Sequence, residues 1–184
     1  SDVVALARSR PGKLTYGSFG AGTTSHFAGE MFKSMAGVNI VHVPYKGSAP
    51  AMQDLIGGQV DLTFDTNVAA RPMAEAGKVR AIGLSSKKPS PSMPGVPPIA
   101  ASGYPDFEMV PWIAVLAPKG LPADVSQALV KALKETVADP TTRADLEKLG
   151  IDVAYEPPAA YAARVSKELP LVRAYVQRAA ITAD

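Results

Sequence analysis

The stretch Tyr16-Gly17-Ser18-Phe19-Gly20-Ala21-Gly22-Thr23-Thr24-Ser25-His26 decides how this chain folds. Leu14 to Phe19 reads as a strand. Gly20-Ala21-Gly22 is a tight turn, and Ser25 to Ala36 carries Phe27, Met31 and Met35 at helical four-residue spacing. A strand, a glycine turn and a helix start therefore stand in direct succession, which is the opening of a strand–helix–strand unit.

The same alternation continues outward. Ser1 to Arg10 reads as a helix stopped by Pro11-Gly12, and Gly37 stops the helix after the turn. Ile40 to Val43 reads as a strand. A helix capped by Ser48 follows and ends at Gly57-Gly58. Gln59 to Phe64 and Val79 to Ser85 read as strands, with a short helix, Asn67 to Ala76, between them despite Pro72. Lys87 to Pro98 is a proline-rich irregular connection. Glu108 to Ala117 reads as an apolar strand holding Trp112, which is expected in the core or against a connection. Helices then fill the rest. One runs from Pro122 to about Ala138, and a second has Asp139 as cap, Pro140 at its first position and Gly150 at its end. After a short strand, Asp152 to Tyr155, a helix from Ala159 to about Ala180 is expected to kink at Pro170. Alternating strands and helices imply an α/β architecture with parallel strands. Right-handed crossovers gather the strand-to-helix loops on one edge, where ligands of open α/β sheets bind.

Composition narrows the function. The chain has 184 residues, 47% hydrophobic and 20% charged, with a net charge of +2. That charge, with no basic run longer than Lys87-Lys88, argues against nucleic acid. With no cysteine there is no disulfide framework and no thiolate metal site. His26 and His42 are far apart in sequence and make a poor metal site, so neither metal nor cofactor is expected. No apolar run reaches the roughly 20 residues of a membrane-spanning helix. The chain opens without Met on a helical pattern, as expected of a cut inside a longer protein.

At the edge of strand ends, the candidate ligand contacts are Ser18, Gly20, Gly22, Thr23, Thr24, Ser25, His26, Tyr45, Asp65 and Asn67. Glycines let a ligand approach the backbone. The free N–H groups of the helix start favour an anion, and the Thr and Ser hydroxyls add donors. No Lys follows the glycines, so the triphosphate-binding loop is absent. A tight turn with a Ser or Thr cap explains the same residues without a ligand. Asp65 offers an acceptor for an ammonium or hydroxyl, but Asp65 or Asn67 as a plain helix cap is the simpler reading. Tyr45 lies on the loop after the second strand. His42 alternates with Val41 and Val43 and is assigned a structural or surface role. A hydrolase using Ser18 or Ser25 with His26 is the enzymatic alternative, weakened by the absence of Gly-x-Ser-x-Gly. A ligand-sensing regulatory domain is another, though no basic helix-turn-helix segment is present.

Several segments together resemble the Bug-type substrate-binding proteins of the tripartite tricarboxylate transporter family. They are Arg10-Pro11-Gly12-Lys13-Leu14 with Tyr16-Gly17-Ser18, His26 with Ala28-Gly29-Glu30, and Val41-His42-Val43-Pro44-Tyr45-Lys46-Gly47. Leu55-Ile56-Gly57-Gly58-Gln59-Val60, Phe64-Asp65, Ala76-Gly77-Lys78-Val79-Arg80-Ala81 and Leu116-Ala117-Pro118-Lys119-Gly120 continue the series in family order. The resemblance implies a type II periplasmic-binding-protein-like fold. Residues 1–108 would be a nearly complete second, ligand-binding domain. Residues 109–184 would be the hinge return and the C-terminal part of the first domain. It further implies a periplasmic protein that catalyses nothing and captures a small carboxylate for membrane transporter subunits. Its ligand contacts would fall on the loops Ser18 to His26 and Asp65 to Asn67. The family's N-terminal stretch, with its own ligand loop, is missing here, so self-association through exposed first-domain surface is expected.

Overall fold

The computed structural model describes residues 2–178. In chain order it contains α1 (Asp2–Ser9), β1 (Thr15–Ser18), α2 (Thr24–Ala36), β2 (Val41–Pro44), α3 (Ser48–Ile56), β3 (Leu62–Thr63) and α4 (Asn67–Glu75). A 3-10 turn at Ile99–Ser102 precedes α5 (Ala123–Ala138), α6 (Pro140–Lys148) and α7 (Pro158–Arg178). The strands form a parallel sheet in the order β2-β1-β3, with Tyr16 opposite both His42 and Leu62. The central strand is thus the one that feeds the glycine turn.

Local chemistry fixes α2 at both ends. Thr23 is its N-cap and accepts from the His26 N–H; Gly37 closes it at φ +59 and donates to the Lys33 carbonyl. Phe27 and Met31 are buried and Met35 packs on the core, as the four-residue spacing requires. The core joins Leu14, Tyr16, Met31, Phe32, Val38, Ile40 and Phe107, and Phe107 is fully buried. Each such large side chain stabilises the fold by about 1.5–3 kcal/mol on burial. Arg8 donates to the Ala36 carbonyl at 2.8 Å, fastening α1 to an otherwise open end of α2.

Six expectations are corrected. The strand at Gln59 to Phe64 shrinks to Leu62–Thr63. Val79 to Ser85 contributes only a bridge between Leu84 and Pro98, while Glu108 to Ala117 and Asp152 to Tyr155 contain no strand. A strand exists only where a neighbour satisfies its backbone, and sequence pattern cannot supply the neighbour. Ile113, Val115 and Leu116 consequently stand 93%, 71% and 74% exposed. Trp112 is not a core residue. It is half exposed, edge-on to Tyr161, and donates to Glu168 of α7 at 3.0 Å. Finally, Ser48 does not cap α3: the cap is Gly47 at φ +114, and the Ser48 hydroxyl goes to Asp65.

Other expectations hold. Asp139 caps α6 by accepting from the Thr142 N–H, with Pro140 at the first position. The expected last helix is present as α7, with Pro170 inside it; its expected end near Ala180 lies outside the described residues. Among the described residues no helix is long and apolar enough to cross a membrane.

Candidate functional site

The loops after β1, β2 and β3 meet at one edge, as parallel crossovers dictate. Tyr45 and Gly47 donate backbone hydrogen bonds to the carbonyls of Ser18 and Phe19. Ser25 Oγ donates to the Phe64 carbonyl at 2.5 Å, and Ser48 Oγ reaches both oxygens of Asp65. Three loops distant in sequence are therefore cross-linked.

Beneath this edge lies a buried polar stack. The rings of His26 and His42 are 3.8 Å apart and nearly parallel, and His42 stacks in turn on Tyr16 at 4.9 Å. Tyr16 donates to Glu30 at 2.7 Å, and Lys33 pairs with the same carboxylate at 2.6 Å. His42 Nε2 lies 2.6 Å from Ser18 Oγ, which also contacts the Gly20 carbonyl and N–H. With Nε2 protonated, the hydroxyl accepts from the ring and donates a hydrogen bond to the Gly20 carbonyl. His26 Nδ1 accepts from the Gly22 N–H at 3.2 Å. Both histidines thus act on the glycine turn from below. Burial pushes His42 down to about 4, with His26 adding and Glu30 opposing. Burial likewise lowers His26 against the pull of Glu30. Glu30 would be raised by burial, yet the hydrogen bonds of Lys33 and Tyr16 bring it below the usual range. Tyr16 is raised by burial and by Glu30.

The sequence-selected residues divide into two groups. Ser18 is fully buried and His26 is 6% exposed, so both support the turn from within. Thr23 is spent on its cap and on the Gly20 carbonyl. Ser25 is buried and spent on Phe64. Tyr45 is held by Asp54 at 2.7 Å, which raises its phenol. What remains open at the rim is the Thr24 hydroxyl, together with the leading amides of α2 and the exposed turn at Ala21 and Gly22. Asp65 is partly buried; burial raises its carboxyl while Ser48 and Thr66 stabilise the charge. Neither Asp65 nor Asn67 caps α4, which correction follows from their partners: Asp65 takes Ser48, and Asn67 donates to Ser90 and Ser92. A cleft of about 650 Å³ lies between the runs 62–65 and 79–85; Asp65 and Asn67 line it, the glycine turn does not.

His42 has the structural one of the two roles the sequence offered it, but its pairing with His26 and the part played by Glu30 were not foreseen. The signal was the Tyr16–His42 register, which puts both rings on the α2 side of the sheet, and register is not written in either strand alone.

This geometry has relatives. The family described as the tripartite tricarboxylate transporter family receptor matches residues 1–179. The chain belongs to that family. It is 40% identical over 155 residues to a UPF0065 protein of the tcbD-tcbE intergenic region of a Pseudomonas species, covering 84% of this chain and 46% of that one. It is 34% identical over 135 residues to Protein BugT of Bordetella pertussis, covering 73% of this chain and 41% of the other. A solved R. palustris protein with adipate superposes with a TM-score of 0.85 at 34% identity, over 98% of this chain and 60% of that one. Periplasmic binding protein BugD gives 0.80 at 34%, over 100% and 62%. MatC from Rhodopseudomonas palustris with bound malate gives 0.78 at 27%, over 95% and 60%. The chain therefore spans less than half the length of those two curated relatives and about three fifths of the solved ones. The receptor family and its solved members are periplasmic substrate-binding proteins of α/β fold, not enzymes. The serine–histidine pairing agrees: the ring beside Ser18 is His42, not His26, and Ser18 has no access to solvent.

Proposed function

We propose that this chain forms part of a periplasmic solute receptor that delivers a small carboxylate to membrane transporter subunits. The observation that carries this reading is the α2 start, an anion-friendly helix end in a family whose solved members hold adipate and malate. Residues 1–108 serve as the ligand-binding lobe and 109–184 as the return of the other lobe. In the lobe, the leading α2 amides and Thr24 meet the carboxylate, while Ser18, Ser25 and His26 hold the turn in shape.

Substitutions separate these roles. Thr24→Ala should weaken carboxylate binding about tenfold or more, since a hydrogen bond to a charged group contributes roughly 1.5–3 kcal/mol. Ser25→Ala should instead cost about 1–3 kcal/mol of stability, because it strands the partly buried Phe64 carbonyl. Calorimetric titration with malate and thermal melts of both variants check the division. Unchanged affinity in Thr24→Ala would remove the anion role of the turn.

The isolated chain should bind weakly and self-associate. A receptor binding near micromolar has about −8 kcal/mol; half of that is about −4 kcal/mol, or millimolar. Ile113, Val115, Leu116 and the exposed Leu129 and Leu133 of α5 form apolar surface that favours a second copy. Light scattering should show concentration-dependent dimers or larger species. A clean monomer with micromolar affinity for malate would reject both halves of this expectation.

A further inference from the structure

The cleft beside β3 is bounded as the place of a sheet strand would be. β3 pairs with β1 along one edge only, and residues 62–65 line the cleft from the other. Opposite stands the run 79–85. Among the described residues, Arg80, Ala81, Ile82 and Gly83 of that run make no backbone hydrogen bond. Helices close the cleft above and below. Tyr16 of β1 faces Gly29 of α2, whereas its neighbour Gly17 faces Ala51 of α3, so α2 and α3 cover opposite faces of the sheet. Phe32, with Val3 and Val4 of α1, lines the cleft from the first face, and Met52 and Leu55 of α3 line it from the second. Two unpaired backbone edges between two helical layers are a receptor for an extended strand, which pairs with both edges at once. A strand in that place is covered on both faces, so it must be apolar at every position rather than alternating.

The chain itself carries such a run. Ile113-Ala114-Val115-Leu116-Ala117 is apolar throughout, lies outside any helix or turn, and makes no backbone hydrogen bond among the described residues. Its Ile113, Val115 and Leu116 side chains stand in solvent. Its own cleft is out of line for it. The Met109 N–H donates to the carbonyl of Ser85, at the cleft's end, and Trp112 is then drawn to Tyr161 and Glu168 of α7. We propose that residues 113–117 of one copy enter the cleft of a second copy as a strand between β3 and the run 79–85, and that the exchange is reciprocal. Because the run departs beside the cleft's end, one two-fold axis lets each copy fill the other and closes the pair. The run carries no charge, which suits a place between two apolar helical faces. This inference rests on the self-association expected above; it replaces contact between apolar faces with backbone pairing.

Hydrogen exchange and cross-linking of the full chain test it. In dilute solution the backbone amides of residues 80–83 and 113–117 should exchange close to the solvent rate. At concentrations where light scattering shows dimers, amides in both runs should slow by about a hundredfold or more. The chain holds no cysteine, so engineered pairs read docking directly. Ile82→Cys combined with Val115→Cys should be joined between copies by a short bifunctional thiol reagent, whereas Ile82→Cys combined with Leu129→Cys should not. Val115→Asp should raise the dimer's dissociation constant about tenfold or more, since it would bury an unpaired charge. A dimer whose 80–83 amides exchange as fast as the monomer's overturns strand exchange and leaves association through apolar faces. A monomer at every concentration overturns both. Protection of residues 80–83 already in the dilute monomer means that the cleft closes within one chain, which also overturns the proposal. Should Val115→Asp not fold, exchange in the unmodified chain still decides.

Discussion

Gly29→Ala should destabilise this chain by about 2–4 kcal/mol, although the substitution sits inside a helix where alanine is the better residue. Helix propensity alone favours the change by about 1 kcal/mol. The opposing term is steric. A Cβ on Gly29 would overlap the Tyr16 ring at Cε2 and Cζ. A flexible side chain could step aside, but this ring is 1% exposed, stacked on His42, edge-on to Phe64 and tied through its hydroxyl to Glu30. Overpacking a filled core costs about 1–3 kcal/mol, and displacing the ring also breaks a buried bond to a charged group, about 1.5–3 kcal/mol. These exceed the propensity gain. For a chain of this size the melting point should fall by roughly 5–15 °C. Calorimetry decides: a melting point equal to or above that of the unmodified chain would mean the ring has room to move. Tyr16→Leu tests the cause, since a smaller partner should reduce the penalty of Gly29→Ala.

That glycine also illustrates how far the chain can be read from its residues. The elements from α1 to α4 were legible because each carries its own punctuation: Pro11-Gly12, Gly37 and Gly57-Gly58 stop helices by local chemistry. The apolar stripe of α2 and the cap of α6 are equally local. The strands expected at Val79 to Ser85 and Glu108 to Ala117 had suitable composition but no pairing beyond the Leu84–Pro98 bridge and one bond from Met109 to Ser85, and pairing is a property of two segments. The site was legible as a place, not as a set of roles. The glycine turn, Asp65 and Asn67 do fall on adjoining loops. Which hydroxyls are free was hidden, since Ser25 is spent on a carbonyl 39 residues away and Asn67 on Ser90 and Ser92, 23 and 25 residues on. The pairing of His42 escaped because alternation with Val41 and Val43 suggested that the valines faced the core; Val41 is instead 44% exposed, and the histidine faces α2.

The paired histidines make acid the second strong perturbation. His26 and His42 are both neutral in the folded chain, and His42 is held down to about 4. In the unfolded chain each takes up its proton near 6.5. Between those values protons bind the unfolded chain preferentially, so the contribution is full above about pH 6.5 and is lost as the pH falls toward 4. For His42 alone, moving from pH 7.5 to 5 should cost about 1–2 kcal/mol after solvent screening is allowed for, and His26 adds in the same direction. The charged groups packed against the pair are Glu30 and Lys33. Glu30, held low by Lys33 and Tyr16, loses its own contribution only below the normal carboxylate range. Asp65 is raised and works the opposite way, favouring the fold as it protonates. The Lys33 ammonium disfavours a protonated ring at either histidine. The consequence reaches the ligand edge directly: His26 Nδ1 accepts the Gly22 N–H, and a protonated ring offers no lone pair there. Acid should therefore loosen the glycine turn before it unfolds the chain. Melting points measured from pH 7.5 to 5 should drop by several degrees, and His42→Phe, which keeps a ring in the stack but cannot titrate, should flatten that slope even if it lowers every value. A pH profile as steep in His42→Phe as in the unmodified chain would assign the acid sensitivity to the carboxylates instead.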